Sequence, residues 1–334
     1  MGSRRDFFRK TLAGGATLAG ITGAGTAAAQ VREQERRRSG ARDEALGLLF
    51  DATLCVGCKA CVAACKEAND LPPDTNTPAH GLWDMPLDTT ARTFNVIKVF
   101  QNGRAEVKDQ VEDGYAFMKK SCLHCVEPSC VSACPVSAMK KDAVTGIVSY
   151  DPDACIGCRY CVAACPFGVP KYDYDSPTGR IGKCELCRHR IPDGRYAACA
   201  EVCPTGATLY GKFPDLRAEA RRRVALEPGT TTRYPRGDLT DGPDRSWEGP
   251  VAHYVQHIYG EKEGGGTQML YLSAVPFEAL GLPTLPEHSY ASKSEGLQHG
   301  LYQGLVLPLA LFGAMTWAAR RNSRHDDDGD GGEQ

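Results

Sequence analysis

The run CVGCKACVAAC occupies residues 55–65, and CIGCRYCVAAC occupies residues 155–165. Both carry four cysteines at one spacing: Cys55, Cys58, Cys61 and Cys65, then Cys155, Cys158, Cys161 and Cys165. Two further quartets are Cys122, Cys125, Cys130 and Cys134, and Cys184, Cys187, Cys199 and Cys203. These are all 16 cysteines of the 334-residue chain, and none is left over. An even count also suits disulfides, but disulfide frameworks do not repeat C-x-x-C-x-x-C. Structural zinc takes paired C-x-x-C units, usually as two separated pairs. The run C-x-x-C-x-x-C-x-x-x-C is instead the pattern of a cubane iron–sulfur cluster.

Such a cluster needs one thiolate per iron. One tight loop supplies three, and the fourth cysteine of the run characteristically serves another cluster, so paired quartets hold two clusters close together. Gly57 and Gly157 let the backbone fold tightly around inorganic sulfide. Val62-Ala63-Ala64 and Val162-Ala163-Ala164 are small and apolar, and form a short helix leading to the fourth ligand. Pro follows Cys134, Cys165 and Cys203, whereas Lys66 follows Cys65. No C-x-x-C is followed by His, which excludes the usual haem attachment. His124, inside the loop CLHC, is read as a hydrogen-bond donor or a solvated side chain, because the cysteines already complete the ligand count. Lys59, Arg159, Lys183 and Arg188 flank ligands. A cation there favours the more negative, reduced cluster; the alternative is a solvated charge or a salt-bridge partner. No constellation of acid, base and nucleophile stands out, so the chain reads as an electron wire rather than a catalyst.

The remainder of the chain places the wire. With 39 Lys+Arg against 41 Asp+Glu, a general nucleic-acid surface is excluded. Residues 1–29 hold a twin arginine (Arg4, Arg5), a mild Gly/Ala-rich apolar stretch and the small-residue site Ala27-Ala28-Ala29, which is the order of parts in a twin-arginine export signal. Export threatens free thiols with oxidation, but the twin-arginine route carries folded proteins, so clusters can be assembled first. Residues 30–45 are a charged linker. The cysteine domain follows at 46–212, with an insertion at 67–118 that contains the strand-like FNVIKVF. Residues 213–300 form a packing or docking extension. Its first part, 213–250, reads as an extended loop with one short helix, DLRAEARRRVAL, and GGGTQMLYLSAV then reads as a turn feeding a strand. Residues 301–319 span roughly 28 Å as a helix against a hydrocarbon core of roughly 30 Å, despite Gln303 and Pro308. Arg320, Arg321 and Arg324 follow, which puts the tail 320–334 in the cytoplasm.

The quartets resemble those of ferredoxin-like electron-transfer subunits of membrane oxidoreductases, such as formate dehydrogenase and dimethyl sulfoxide reductase. They are most similar to the four-cluster subunit of hydrogenase-2-type [NiFe] hydrogenases. The runs LCVGCKACV, GYAFMKKSCLHCVEPSCVSACPVSAMKKD, TGIVSYDPDACIGCRYCVAACPFGVPKYDYD, KCELC and YGEKEGGGTQ carry the resemblance. It implies an α+β fold: a duplicated bacterial-ferredoxin-like domain holding four [4Fe-4S] clusters, with a C-terminal extension and a single transmembrane helix. It also implies pairing of the first quartet with the last and the second with the third. The ligand sets are then Cys55, Cys58, Cys61 and Cys203; Cys65, Cys184, Cys187 and Cys199; Cys122, Cys125, Cys130 and Cys165; and Cys134, Cys155, Cys158 and Cys161. Some relatives replace one ligand with Trp, but Cys158 is present here. The implied partners are the small and large subunits of a [NiFe] hydrogenase, an integral-membrane quinone-reactive subunit, the membrane itself and the twin-arginine translocase. The subunit would sit on the periplasmic side of the inner membrane. A molybdenum enzyme, formate dehydrogenase or a sulfur-compound reductase, is the alternative catalytic partner. A zinc-stabilised interaction module is the alternative of a different class.

Overall fold

The computed structural model describes residues 43–74, 85–176, 179–242 and 245–327. The export signal, nearly all of the linker and the end of the acidic tail lie outside the described residues.

Strand β1 (Leu46–Asp51) enters the first quartet, which ends in helix α1 (Ala60–Ala68). The insertion supplies β2 (Val96–Gln101), β3 (Val107–Lys108) and β4 (Gly114–Lys120). The second quartet contains α2 (Ser129–Ser132) and leads into β5 (Met139–Lys141). Strand β6 (Val148–Tyr150) enters the third quartet and its helix α3 (Tyr160–Ala164). After β7 (Lys171–Tyr172) and β8 (Ile181–Gly182), the fourth quartet contains α4 (Ala198–Glu201) and leads into β9 (Thr208–Lys212). The extension then forms α5 (Phe213–Ala225), β10 (Thr231–Pro235), β11 (Gly237–Asp238), β12 (Ser246–Pro250), β13 (Met269–Leu272) and α6 (Tyr290–Asp327).

The strand pairings reveal one unit nested inside another. In the inner unit, β5 leaves the second quartet and pairs antiparallel with β6, which enters the third, with Met139 opposite Tyr150. In the outer unit, β9 leaves the fourth quartet and pairs antiparallel with β1, which enters the first, with Leu46 opposite Lys212. The helices repeat the scheme, α2 packing on α3 and α1 on α4. Each unit is thus a two-stranded ladder with a cysteine loop and a short helix at both ends, the arrangement expected of a duplicated ferredoxin-like fold.

The extension is built into this core. The central sheet has the order β11-β9-β1-β13, so strands from both sides of Lys212 share it, and Ala41–Ser292 form one compact unit. Within the stretch expected as loop, Thr231–Pro235 and Ser246–Pro250 instead pair antiparallel as β10 and β12. The expected short helix is α5. Pro214 stands in its first turn with Asp215, and Arg222 and Arg223 in its last, as the helix dipole favours. Its buried face, Phe213, Leu216, Ala220 and Arg223, covers Leu49, Leu209, Leu270 and Leu272 of the sheet. Arg223 is wholly buried. It pairs with Asp51 at 2.9 Å and Glu219 at 2.7 Å, and its guanidinium lies over the Tyr234 ring. Tyr254 and Thr53 complete the hydrogen bonds to Asp51.

Helix α6 is a single 38-residue helix with Pro308 inside it. Among the described residues it alone is long and apolar enough, over Tyr290–Arg321, to cross a membrane. Leu301, Leu305, Leu309, Phe312 and Trp317 are exposed on it. The expected span 301–319 therefore lies within a longer helix, and Pro308 does not end it.

Candidate iron–sulfur sites

The two matching loops fold alike. Gly57 and Gly157 have φ of +68° and +73°, and the residues just before the helices, Lys59 and Arg159, are also left-handed, at 60° and 63°. A Cβ at Gly57 would overlap the Phe117 ring, so close packing as well as conformation demands glycine there. The helices then diverge at one residue. Pro166 forces Cys165 into an extended conformation (φ −79°, ψ 113°), and α3 stops at Ala164. Lys66 makes no such demand, and α1 continues to Ala68. Lys66 Nζ instead ties the helix to the insertion, donating to the carbonyls of Pro72 and Arg92, to Thr93 Oγ1 and to Asp74.

Nesting brings thiols from distant quartets together. Cys55, Cys58, Cys61 and Cys203 line one cavity, beside Phe50 and Ile97. Cys65, Cys184, Cys187 and Cys199 line another, with Asn95 and Lys119. In the inner unit, Cys122, Cys130 and Cys165 lie around Cys125. Cys134, Cys155 and Cys158 lie around Cys161. All sixteen are free thiols. Four sulfurs on one zinc ion stand about 3.8 Å apart, from the Zn–S distance and a tetrahedral angle. Among the described residues no three His, Cys, Asp or Glu side chains are close enough to hold one ion. The outer-unit thiols line two cavities instead.

Burial raises the cost of charging these groups. It pushes Cys55, Cys65 and Cys130 up to about 12 and Cys61 and Cys161 up to about 11, with neighbouring cysteines adding to the shift. Unliganded, they are neutral thiols, and only a bound cation makes thiolates of them. Backbone N–H groups already face four sulfurs: Ala138 to Cys134 Sγ at 3.2 Å, Gly157 to Cys155 Sγ at 3.4 Å, Leu186 to Cys184 Sγ at 3.3 Å and Thr208 to Cys203 Sγ at 3.4 Å. His124 supplies a further donor. Burial, then Lys183 and Lys141, hold its pKa well below the usual imidazole value. Its Nδ1 accepts from the Val148 N–H at 3.0 Å, so the proton is on Nε2, which is buried without a partner. His124 is therefore not a solvated side chain. A buried N–H without an acceptor is costly, and in the loop Cys122–Cys125 a bound cluster would offer it a sulfur acceptor. The residues fit the cofactor.

The four cations read beside ligands have different situations. Lys59 Nζ donates to the Met85 carbonyl. Arg159 lies over the rings of Tyr172 and Tyr174, at 5.5 and 5.7 Å from their centroids. Arg188 pairs at the surface with Glu185. Lys183 is buried, donating to the carbonyls of Val148 and Cys184. The sequence reading missed two more lysines, the half-buried Lys141 and the buried Lys119. Lys141 donates to the Cys125 carbonyl at 2.7 Å and to Gln268 Oε1 at 2.8 Å, and burial brings it down to about 8. Lys119 is deeper still. Burial pulls its pKa down, but negative charge on Cys199, Cys61, Cys65 and Cys184, once they are thiolates, outweighs this and raises it above the ordinary lysine range. The available signal was a lysine in the apolar strand run GYAFMKK just before a quartet.

Gln268, in the segment read only as a turn feeding a strand, fastens the two units together. Its backbone N–H meets the carbonyls of Leu123 and His124, and its Nε2 donates to the carbonyls of Leu46 and Thr145.

Comparison with known proteins agrees with this geometry. The 4Fe-4S dicluster domain is matched twice, over residues 114–213 and 54–138. The chain is 49% identical over 292 residues to the hydrogenase-2 operon protein HybA of Escherichia coli O157:H7, covering 86% of this chain and 88% of that protein. It is 34% identical over 285 residues to the formate dehydrogenase-O iron-sulfur subunit of Escherichia coli strain K12, covering 84% and 83%. Two dicluster domains and sixteen cysteines account for four [4Fe-4S] clusters. The spacing, the nested units and this identity along most of both chains lead to one conclusion: the chain belongs to the family of the hydrogenase-2 operon protein HybA.

Proposed function

We propose that the chain is the electron-transfer subunit of a periplasm-facing, membrane-bound [NiFe] hydrogenase, relaying electrons between the hydrogenase and a quinone-reactive membrane subunit. The observation that carries the wire is the nesting. Each quartet's last cysteine lies in its partner's loop, so the sites come in close pairs. The ligand sets are Cys55, Cys58, Cys61 and Cys203; Cys65, Cys184, Cys187 and Cys199; Cys122, Cys125, Cys130 and Cys165; and Cys134, Cys155, Cys158 and Cys161. A [4Fe-4S] cluster, when bound, supplies one-electron storage whose potential depends on charge, hydrogen bonds and burial. The chain's own residues set those conditions. The thiols would hold the irons, backbone N–H groups face the ligand sulfurs, His124 Nε2 offers a buried donor, and Phe50, Ile97 and Leu186 line the sites.

The ends of the wire rest on other features. The 49% identity to a hydrogenase-2 operon protein favours a hydrogenase over the molybdenum partner, for which the cited relative is 34% identical. The twin-arginine stretch at 1–29 and the apolar 301–319, followed by arginines, support periplasmic placement with a C-terminal anchor and a cytoplasmic tail at 320–334. The cluster-bearing part runs from residue 46 to 212, with 213–300 as its extension.

Anaerobic purification from the native membrane tests both parts. The expected preparation contains one iron per cysteine and the two hydrogenase subunits. A co-purified molybdenum subunit would move the proposal to the alternative partner, and zinc in place of iron would overturn it. For the ligand sets, Cys65→Ser is expected to damage the cluster held by Cys184, Cys187 and Cys199. The cluster at Cys55, Cys58 and Cys61 should be much less affected, and Cys203→Ser should do the reverse. Loss of each variant's own quartet cluster in the paramagnetic spectra would reject the pairing.

A further inference from the structure

Lys119 lies in β4 within a run of buried side chains and is 1% exposed. Its Nζ donates to Asn95 Oδ1 at 3.0 Å, and Asn95 Nδ2 donates in turn to the Cys61 carbonyl at 2.7 Å. Both residues line the cavity of Cys65, Cys184, Cys187 and Cys199. Cys61, on the neighbouring cavity, is thus joined to the ammonium group through Asn95. The hydrogen-bond partner is a neutral amide, and the cysteines around the cation come from both sets of the outer unit. Ammonium burial is strongly unfavourable unless opposite charge compensates it. A thiolate-ligated cluster supplies that charge, and it gains one further negative charge on reduction. In a water-poor interior a fixed cation therefore stabilises the reduced form more than the oxidised form.

We propose that Lys119 is a positioning cation shared by the two outer-unit clusters, raising both reduction potentials together and leaving the inner pair alone. Asn95 holds the ammonium in place and, through Cys61, links it to the second site. The insertion contributes Asn95 and the strand that leads into Lys119, which gives it a part in setting the electron path as well as in packing.

The inference rests on the ligand sets proposed above, so signals are first assigned with Cys65→Ser and Cys203→Ser in the purified complex. Potentiometric titration monitored by paramagnetic resonance then reads Lys119→Met, which keeps length and removes charge. Both outer-unit potentials are expected to fall by at least about 59 mV, a tenfold change in a one-electron equilibrium, with the inner pair unmoved. Lys119→Arg, which keeps the charge, should stay near wild type. Asn95→Asp sets a carboxylate against the ammonium and should lower the same two potentials. It is also the measurement to use if Lys119→Met fails to load its clusters. Four unchanged potentials, an equal fall in all four, or a fall in the Arg variant as large as in Met would overturn the proposal. So would loss of the outer clusters in both Lys119→Met and Asn95→Asp, which would mark a purely structural role. A fall split between one outer and one inner cluster would instead convict the ligand sets.

Discussion

Arg223 and Asp51 show how far the cluster loops depend on residues that touch no cluster. Asp51 ends β1, directly ahead of the first quartet, and receives Arg223, Tyr254 and the N–H of Thr53. Breaking a buried pair by removing one partner costs about 3–5 kcal/mol, because the other charge is left uncompensated. Arg223→Met is therefore expected to destabilise the outer unit by about 3 kcal/mol. Adding Asp51→Asn should recover part of that loss, since the orphaned charge is gone. Anaerobic thermal bleaching of the iron–sulfur absorbance measures both. Strictly additive losses would show that the pair does not act as one. The cysteines themselves were legible in the sequence because their chemistry fixes spacing inside a single loop. Lys119 and Gln268 were not. Each acquires its role only where segments far apart in the chain converge, and a lysine in a strand or a glutamine after glycines carries no local mark of that.

Elements divide along similar lines. The helix within 213–225 was readable from its Pro, its acidic start and its basic end. The β10–β12 pair was not, because TTRYP and SWEGP offer little apolar alternation and end in proline. The strand in GGGTQMLYLSAV was expected, but not its place beside β1, since register in a sheet is set by the partner strand. Helix α6 was legible by composition alone. If it is the anchor, a stop codon after Gly300 should release a folded cluster-bearing protein from the membrane. Hydrogen oxidation with a soluble dye should survive, while transfer to quinone should fall sharply. A truncated protein that stays bound and reduces quinone at the full rate would assign attachment to the partner subunits.

Across the whole molecule, nesting bears on the order in which the protein can be made. The inner ladder closes between Met139 and Tyr150, close neighbours on the nascent chain. The outer ladder cannot close until Lys212 has emerged to meet Leu46, and β13 must follow before the sheet is complete. Loops that close locally form first, and long closures wait. Maturation should therefore run from the inside out: a chain stalled once Ile181 has emerged from the ribosome, but before Cys184 has, should already accept iron and sulfide at the second and third quartets, while the first quartet stays empty. Equal loading of the first quartet in that stalled chain would contradict this order. On this schedule the first quartet is synthesised earliest and finished last, so its open thiols mark a chain whose outer unit has not yet closed.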